Sequence, residues 1–193
     1  MHDFHALPQE GLIRKMWRVE ASRYRDHLLR LDEDSRRCRF GGAVSDEYVI
    51  RHAELALSAD TVIHGFFVNG TIRGAAELRA IGSPLLRQAE AALSIEKSWQ
   101  DRGIGSALLA RTLLAARKRG IKFLHMACLA DNHRMQKLAR KFDAQLKFDF
   151  GTAVGAMRAP RLTPLSFMRE AFADSHRLAR AILDVQAQML SLA

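Results

Sequence analysis

The chain has 193 residues, 48% hydrophobic and 26% charged, proportions that suit one globular domain with its own core and exclude a disordered or fibrous chain. Its 30 lysines and arginines against 21 acidic residues leave a net charge of +9, but the cations are scattered, not gathered in a tail or an aromatic-interleaved stripe, so nucleic acid is not the expected partner. No apolar run approaches the ~20 residues of a membrane helix, residues 1–15 have no apolar signal core, and Cys38 and Cys128 lack metal-ligand spacing, so a cytoplasmic chain with reduced thiols, no metal and no membrane partner is expected.

Residues 13–19 read as a first strand and 22–31 as a helix with Tyr24, Leu28, Leu29 and Leu31 on or near one face. Residues 32–46, with Gly41 and Gly42, read as loop, and Ser45 is placed to cap a helix over 46–58. Asn69-Gly70 between the strand-like runs 61–68 and 71–81 predicts a hairpin with a tight primed turn. A strand over 89–95 leads into Gln100-x-x-Gly103-x-Gly105, and Ala107, Leu108, Leu109, Leu113 and Leu114 mark a helix that runs to Arg119 and is closed by Gly120. A strand over 123–128, a helix opening with Asp131-Asn132-His133-Arg134, and a hairpin of 144–150 and 152–158 joined at Gly151 follow. Strands and helices alternate, which predicts an α/β fold, a mixed sheet covered by helices. Pro160 and Pro164 then break the chain, dividing a domain over 1–160 from an extension over 161–193. Residues 165–190 carry a helical pattern whose apolar face, with Met168, Leu178, Ile182, Val185 and Met189, docks on its own domain or makes a homodimer with a second subunit.

The glycine loop is the most informative stretch. Glycines admit a ligand close to backbone N–H groups, and a helix starting there turns its unpaired N–H groups and positive dipole end toward it, which predicts a phosphate site. The dinucleotide fingerprint needs a third glycine where Leu108 stands, and a Gly-Lys-Ser/Thr loop is absent. What remains is Gln/Arg-x-x-Gly-x-Gly/Ala deep in the chain, followed by a strand and the Asp131-Asn132 helix start.

In that order these residues closely resemble the acyl-CoA-binding core of the GNAT N-acetyltransferases. The likeness runs over residues 13–160 and is strongest over 89–141, beginning AEAALSIEKSWQDRGIG. It is most similar to the GNAT domains of bacterial protein-lysine acetyltransferases, in which Ala-Glu opens the strand and Trp-Gln-x-Arg-Gly-x-Gly closes the loop; LLRLDEDSRRCRF, residues 28–40, also fits that subgroup's first-helix region. Two positions depart from the family pattern: Ala139 stands where many members have tyrosine, which puts a tyrosine general acid in doubt, and Asp143-Ala144 replaces the usual Gly-Phe.

The resemblance implies a GNAT fold, a sheet of six to seven strands splayed in its middle, with acetyl-CoA in the notch and an amine acceptor, protein lysine foremost and small amines beside it. Acyl transfer to an amine needs the thioester held, its developing oxyanion stabilised and the amine deprotonated. Gln100, Asp101, Arg102, Gly103, Ile104, Gly105 and Ser106 are the expected cradle, with the Asp101 carboxylate turned away from phosphate. The resemblance places the oxyanion donors in the backbone around Leu93, Ser94 and Ile95, and contacts to the CoA arm at Asn132 and Met135. Glu90, the lone acid in an apolar strand and on one side with Ala92 and Ser94, is the expected base, acting directly or through one water; Glu96 is a weaker rival and His125 reads as structural. Two other readings stand beside this one: a non-catalytic acyl-CoA-sensing module that signals through the C-terminal helix, and a basic nucleic-acid-binding protein.

Overall fold

A computed structural model describes residues 11–57, 60–149 and 152–158; the extension over 161–193, its helical pattern and Gly151 lie outside them. Seven strands form one sheet in the order β1-β2-β3-β4-β5-β7-β6. They are β1 (Gly11–Lys15), β2 (Thr61–Val68), β3 (Thr71–Ile81), β4 (Gln88–Ile95), β5 (Phe123–Leu129), β6 (Gln145–Asp149) and β7 (Thr152–Arg158). The helices are α1 (Ala21–Leu29), α2 (Glu33–Phe40), α3 (Asp46–Ala56), α4 (Ile104–Lys118) and α5 (His133–Lys141).

Local chemistry explains most boundaries. Asn69 and Gly70 both take left-handed backbone (φ 48° and 74°), as the primed turn between β2 and β3 requires. Ser45 Oγ accepts from the Tyr48 N–H and caps α3. β1 ends at Lys15, earlier than expected, because Glu20 folds back to take the Arg14 guanidinium at 2.6 Å and the Trp17 N–H at 3.1 Å, turning the chain. The loop expected over 32–46 is corrected in its first half. Asp32 accepts from the Ser35 N–H, Glu33 and Asp34 stand in the first turn and Arg37 and Arg39 in the last, and Gly41 ends α2 in the left-handed region. No apolar residue of α2 is deeply buried, so its end charges and caps specify it without an apolar stripe.

The sheet is buried on both faces. On one, Tyr24 and Leu28 of α1 and Val49 of α3 pack with Ile63, Phe67 and Ile72. On the other, Leu109 and Leu113 of α4 pack with Val62, Leu78, Ala89 and Leu124. A Cβ on Gly74 would lie 3.3 Å from Ile95 and 3.4 Å from Ile104 and Leu108, which shows how closely α4 rides on β3.

One pairing differs from all the others. Among the described residues β4 and β5 are the only parallel pair in the sheet, and they are matched at just Gln88–Phe123, Ala89–Leu124 and Glu90–His125. Beyond Glu90 each strand keeps only its outer partner: β4 stays on β3 as far as Ile95–Gly74, and β5 stays on β7 as far as Leu129–Thr152. The centre of the sheet is therefore splayed.

Leu109, fully buried under the sheet, should cost about 2–5 kcal/mol as Leu109→Ala. Leu85→Ala, at a side chain 91% exposed, should stay within about 0.5 kcal/mol. Urea midpoints of the two variants check this.

Candidate active site

The splay opens a cavity of ≈ 760 Å³. Leu93, Ser94 and Ile95 form its β4 wall; Gln100, Asp101, Gly103, Gly105 and Ser106 line the glycine-loop end; Asn132 and Met135 border it from the start of α5. The direction of the β4 backbone follows from its pairing. The Glu96 N–H donates to Arg73 O on β3 at 3.0 Å, and antiparallel alternation then turns the N–H groups of Ser94 and Ala92 toward β3 as well. The N–H and C=O groups of Leu93 and Ile95 point the other way, into the notch. Of the backbone donors expected around Ser94, those of Leu93 and Ile95 are therefore the ones available.

The loop beyond β4 is built for close approach. Asp101 and Gly103 take left-handed backbone (φ 58° and 77°), and α4 begins at Ile104. The first helical bond closes at the Ala107 N–H, so the N–H groups of Ile104, Gly105 and Ser106 have no helical partner. A Cβ on Gly105 would come within 3.3 Å of Ile95 and 3.5 Å of Leu138. The Gln100 amide donates to Ile95 O and to Ser35 Oγ, both at 3.0 Å, tying loop, strand and α2 together. The Asp101 carboxylate, 75% exposed, lies 3.5 Å from Arg134. Arg102 and Ile104 stand off the cavity wall: the Arg102 guanidinium lies over the Trp99 ring at 5.0 Å, and the Ile104 side chain is buried in the core beside Phe66 and Leu108. Asn132 Oδ1 accepts from the Met135 N–H, the helix-cap role its position allows.

Sequence reasoning missed the cations of α5. Arg134, Lys137, Arg140 and Lys141 all border the cavity, and Lys141 donates to Ser106 Oγ at 3.4 Å. Their spacing on one short helix was the available signal. With the free N–H groups at the start of α4, they make this end of the cavity suited to phosphate.

Glu90 lies on the last paired rung, opposite His125, with its side chain 32% exposed and 3.5 Å from Arg79. It borders a second, smaller pocket of ≈ 220 Å³, which shares Arg39, Ala92, Ala127 and Cys128 with the large cavity. His125 Nε2 is buried and has no partner among the described residues.

Two buried networks flank this region, and neither was legible beforehand. Glu96, the rival base, is taken up by Arg73 at 2.9 Å, Arg30 at 3.0 Å and His27 Nδ1 at 3.3 Å. Burial alone would raise its pKa, but the hydrogen bonds from His27, Arg73 and Arg30 outweigh it and bring it to about 2. An ionised Glu96 only accepts, so His27 carries its proton on Nδ1, and its bare Nε2 accepts from Ser94 Oγ at 2.9 Å. Burial pushes His27 below its ordinary value, against the pull of Glu96. The second network centres on Glu77, 3% exposed, which accepts from Tyr24 Oη at 3.1 Å, His52 Nε2 at 3.0 Å and Arg39 Nη2 at 2.7 Å. Burial opposes its ionisation, but the His52 bond and the Arg39 charge prevail and lower it.

These shifts set the acid stability. His27 is depressed in the fold, so its contribution is complete above pH 6.5 and is lost as pH falls and the unfolded imidazole takes a proton that the buried one refuses. Glu96 is depressed from 4.5 to about 2, so its contribution, on the order of 3 kcal/mol, is lost only across that lower window. Unfolding free energy measured against pH should decline in two stages, and His27→Gln should abolish the first and shrink the second, because it alters the first-named hydrogen bond holding Glu96 down.

Residues 10–144 match the Acetyltransferase (GNAT) family. Among solved structures, the chain is similar to the GNAT domain of S. lividans PAT, at 22% identity over 77% of this chain and 90% of that one, with a TM-score of 0.67. It is also similar to yncA, a putative acetyltransferase from Salmonella typhimurium solved with its cofactor acetyl-CoA (14% identity, 80% and 97% covered, TM-score 0.59). A third likeness is to the PaiA N-acetyltransferase from Thermoplasma acidophilum in complex with coenzyme A (18% identity, 77% and 98% covered, TM-score 0.58). No curated protein sequence matches. With the family match covering residues 10–144, most of the chain, the chain belongs to the GNAT acetyltransferase family.

Proposed function

We propose that this chain transfers the acetyl group of acetyl-CoA to a primary amine, of a protein lysine or a small molecule, by direct attack in a ternary complex with Glu90 as base. The observation that supports the reading is the end of β4–β5 pairing at Glu90, whose carboxylate borders the small pocket that shares a wall with the cavity lined by Leu93 and Ile95. The two similar structures solved with acetyl-CoA or coenzyme A support the choice of cosubstrate. Acetyl-CoA supplies an activated thioester; this chain's residues hold and polarise it. The N–H groups at the start of α4 and the cations of α5 would take the phosphates, Gln100, Asn132 and Met135 the loop and arm, and the N–H groups of Leu93 and Ile95 the arm and the thioester oxygen.

Glu90 takes a proton from the acceptor ammonium and frees its lone pair. The nitrogen–carbon bond forms as the carbon–sulfur bond breaks, and CoA leaves as a thiolate that takes the second proton shed by nitrogen, through solvent. Ala139, at the position where the resemblance leads one to look for tyrosine, is buried in the core, so a side chain there supplies no acid. Among the described residues no helix is long and apolar enough to cross a membrane, and we keep the cytoplasm as the site of action.

Calorimetry with acetyl-CoA and with CoA tests the first half of the reading; binding of neither would end it. Glu90→Gln should lower kcat by about 10²–10⁴ with acetyl-CoA affinity unchanged. Unchanged turnover would remove Glu90 from the chemistry. Gly103→Ala forces a Cβ onto left-handed backbone, and it should weaken acetyl-CoA binding about tenfold in the same calorimetry.

A further inference from the structure

Arg39, near the C-terminal end of α2, stands in the wall shared by the two cavities with a side chain only 7% exposed. Its Nη2 donates to Glu77 Oε2 at 2.7 Å and faces Tyr24 Oη at 3.4 Å. His52 Nε2 lies 3.2 Å from the same Nη2, but it must carry a proton to donate to the ionised Glu77 at 3.0 Å, so it cannot also accept from Arg39. Arg39 Nε is buried with no partner, and Nη1 makes no hydrogen bond among the described residues. Among the described residues the buried Nε–H is therefore unmet, where folded proteins pair almost every buried donor, and the two N–H groups of Nη1 remain free for a ligand.

The rest of the small pocket states what would meet them. Glu90 offers a negative charge to an ammonium, and Arg79, its partner at 3.5 Å, adds a half-exposed cation at the rim. Phe40 and Tyr48, edge to face at 5.7 Å, border the space between and suit a short carbon chain. Glu77 and Glu90 both stand in the lining, so a dianion such as phosphate meets two carboxylates, whereas a monovalent carboxylate needs one guanidinium. A pocket of ≈ 220 Å³ suits a small molecule. A lysine side chain alone brings one cation and nothing for Arg39.

We propose that the small pocket binds an acceptor carrying both an amine and a carboxylate, an amino-acid-like molecule, with the carboxylate on the free donors of Arg39 and the amine presented to Glu90. This rests on the acetyl transfer proposed above and names its acceptor class. Bond changes are those given there; Arg39 binds and breaks no bond.

The test uses the full chain, acetyl-CoA, and matched acceptors that differ only in the carboxylate: an ω-amino acid, its methyl ester, and a lysine peptide with neutral neighbours. The free acid should show kcat/KM at least tenfold above the ester. Arg39→Met should erase that difference by raising KM for the acid alone, with KM for acetyl-CoA unchanged, and Arg39→Lys should restore part of it. Equal rates for acid and ester, or a peptide that outruns both, would overturn the proposal, and this comparison needs no variant to fold. Calorimetry of acid and ester with CoA-saturated protein separates the two readings. Acid binding without ester binding keeps the site even where no amine is acetylated, which would sink the transferase reading alone; binding of neither sinks the site.

Discussion

The place where β4 stops pairing with β5 governs everything else in this molecule. Backbone N–H and C=O groups inside a protein are almost always paired, and here Leu93 turns both of its groups, and Ile95 its N–H, toward a cavity. The strands cannot close the gap on their own, because each is held from outside. β4 is stitched to β3 as far as Gly74 and pinned at its end by Glu96, while β5 is stitched to β7 along its full length. A ligand with its own amide donors and acceptors, such as a pantetheine arm, can complete the interrupted ladder. The notch is thus a strand-shaped vacancy with the glycine loop at one end.

The buried charges serve that geometry. Ion pairs out of water are weak evidence of stability, since desolvation offsets much of the attraction. What they do here is fix positions: Glu96 draws α1, through His27 and Arg30, and β3, through Arg73, onto the last residues of β4, and Glu77 draws α1, α2 and α3 onto β3 next to the small pocket. Arg14, Arg30, Arg39 and Arg73 are held on the chain's own carboxylates in this way, and the net charge of +9 remains on its other cations.

The sequence made the β2–β3 hairpin and the glycine loop legible because their signals are local: Asn69 and Gly70 need left-handed backbone, and Gly103 and Gly105 stand between a strand pattern and an apolar helix. The helix α2 was hidden because its evidence is polar, a cap and end charges without an apolar stripe. The two networks were hidden for another reason. Glu96 finds His27 at a separation of 69 residues, and Glu77 finds Tyr24 at 53, and no spacing rule reaches across such gaps. The splay itself came from resemblance; alternation along β4 then shows which N–H groups it frees.

Direct attack also fits the residues at the junction better than an acyl-enzyme route. Cys128 lies in the wall shared by both pockets, but burial pushes its thiol pKa up and leaves it protonated. Ser94, His27 and Glu96 follow the order of a nucleophile relay, yet Arg30 and Arg73 already neutralise the carboxylate that would have to stabilise an imidazolium on His27. The same chain of bonds is well suited to a mechanical task, since it anchors Ser94 to α1 from the face of β4 opposite α4. On the proposed reading, two pockets that share Arg39, Ala92, Ala127 and Cys128 would pass an acyl group with both filled at once. The acceptor's amine would then lie between Glu90 and the thioester, and the wall at Arg39 would be where this chain chooses its acceptor.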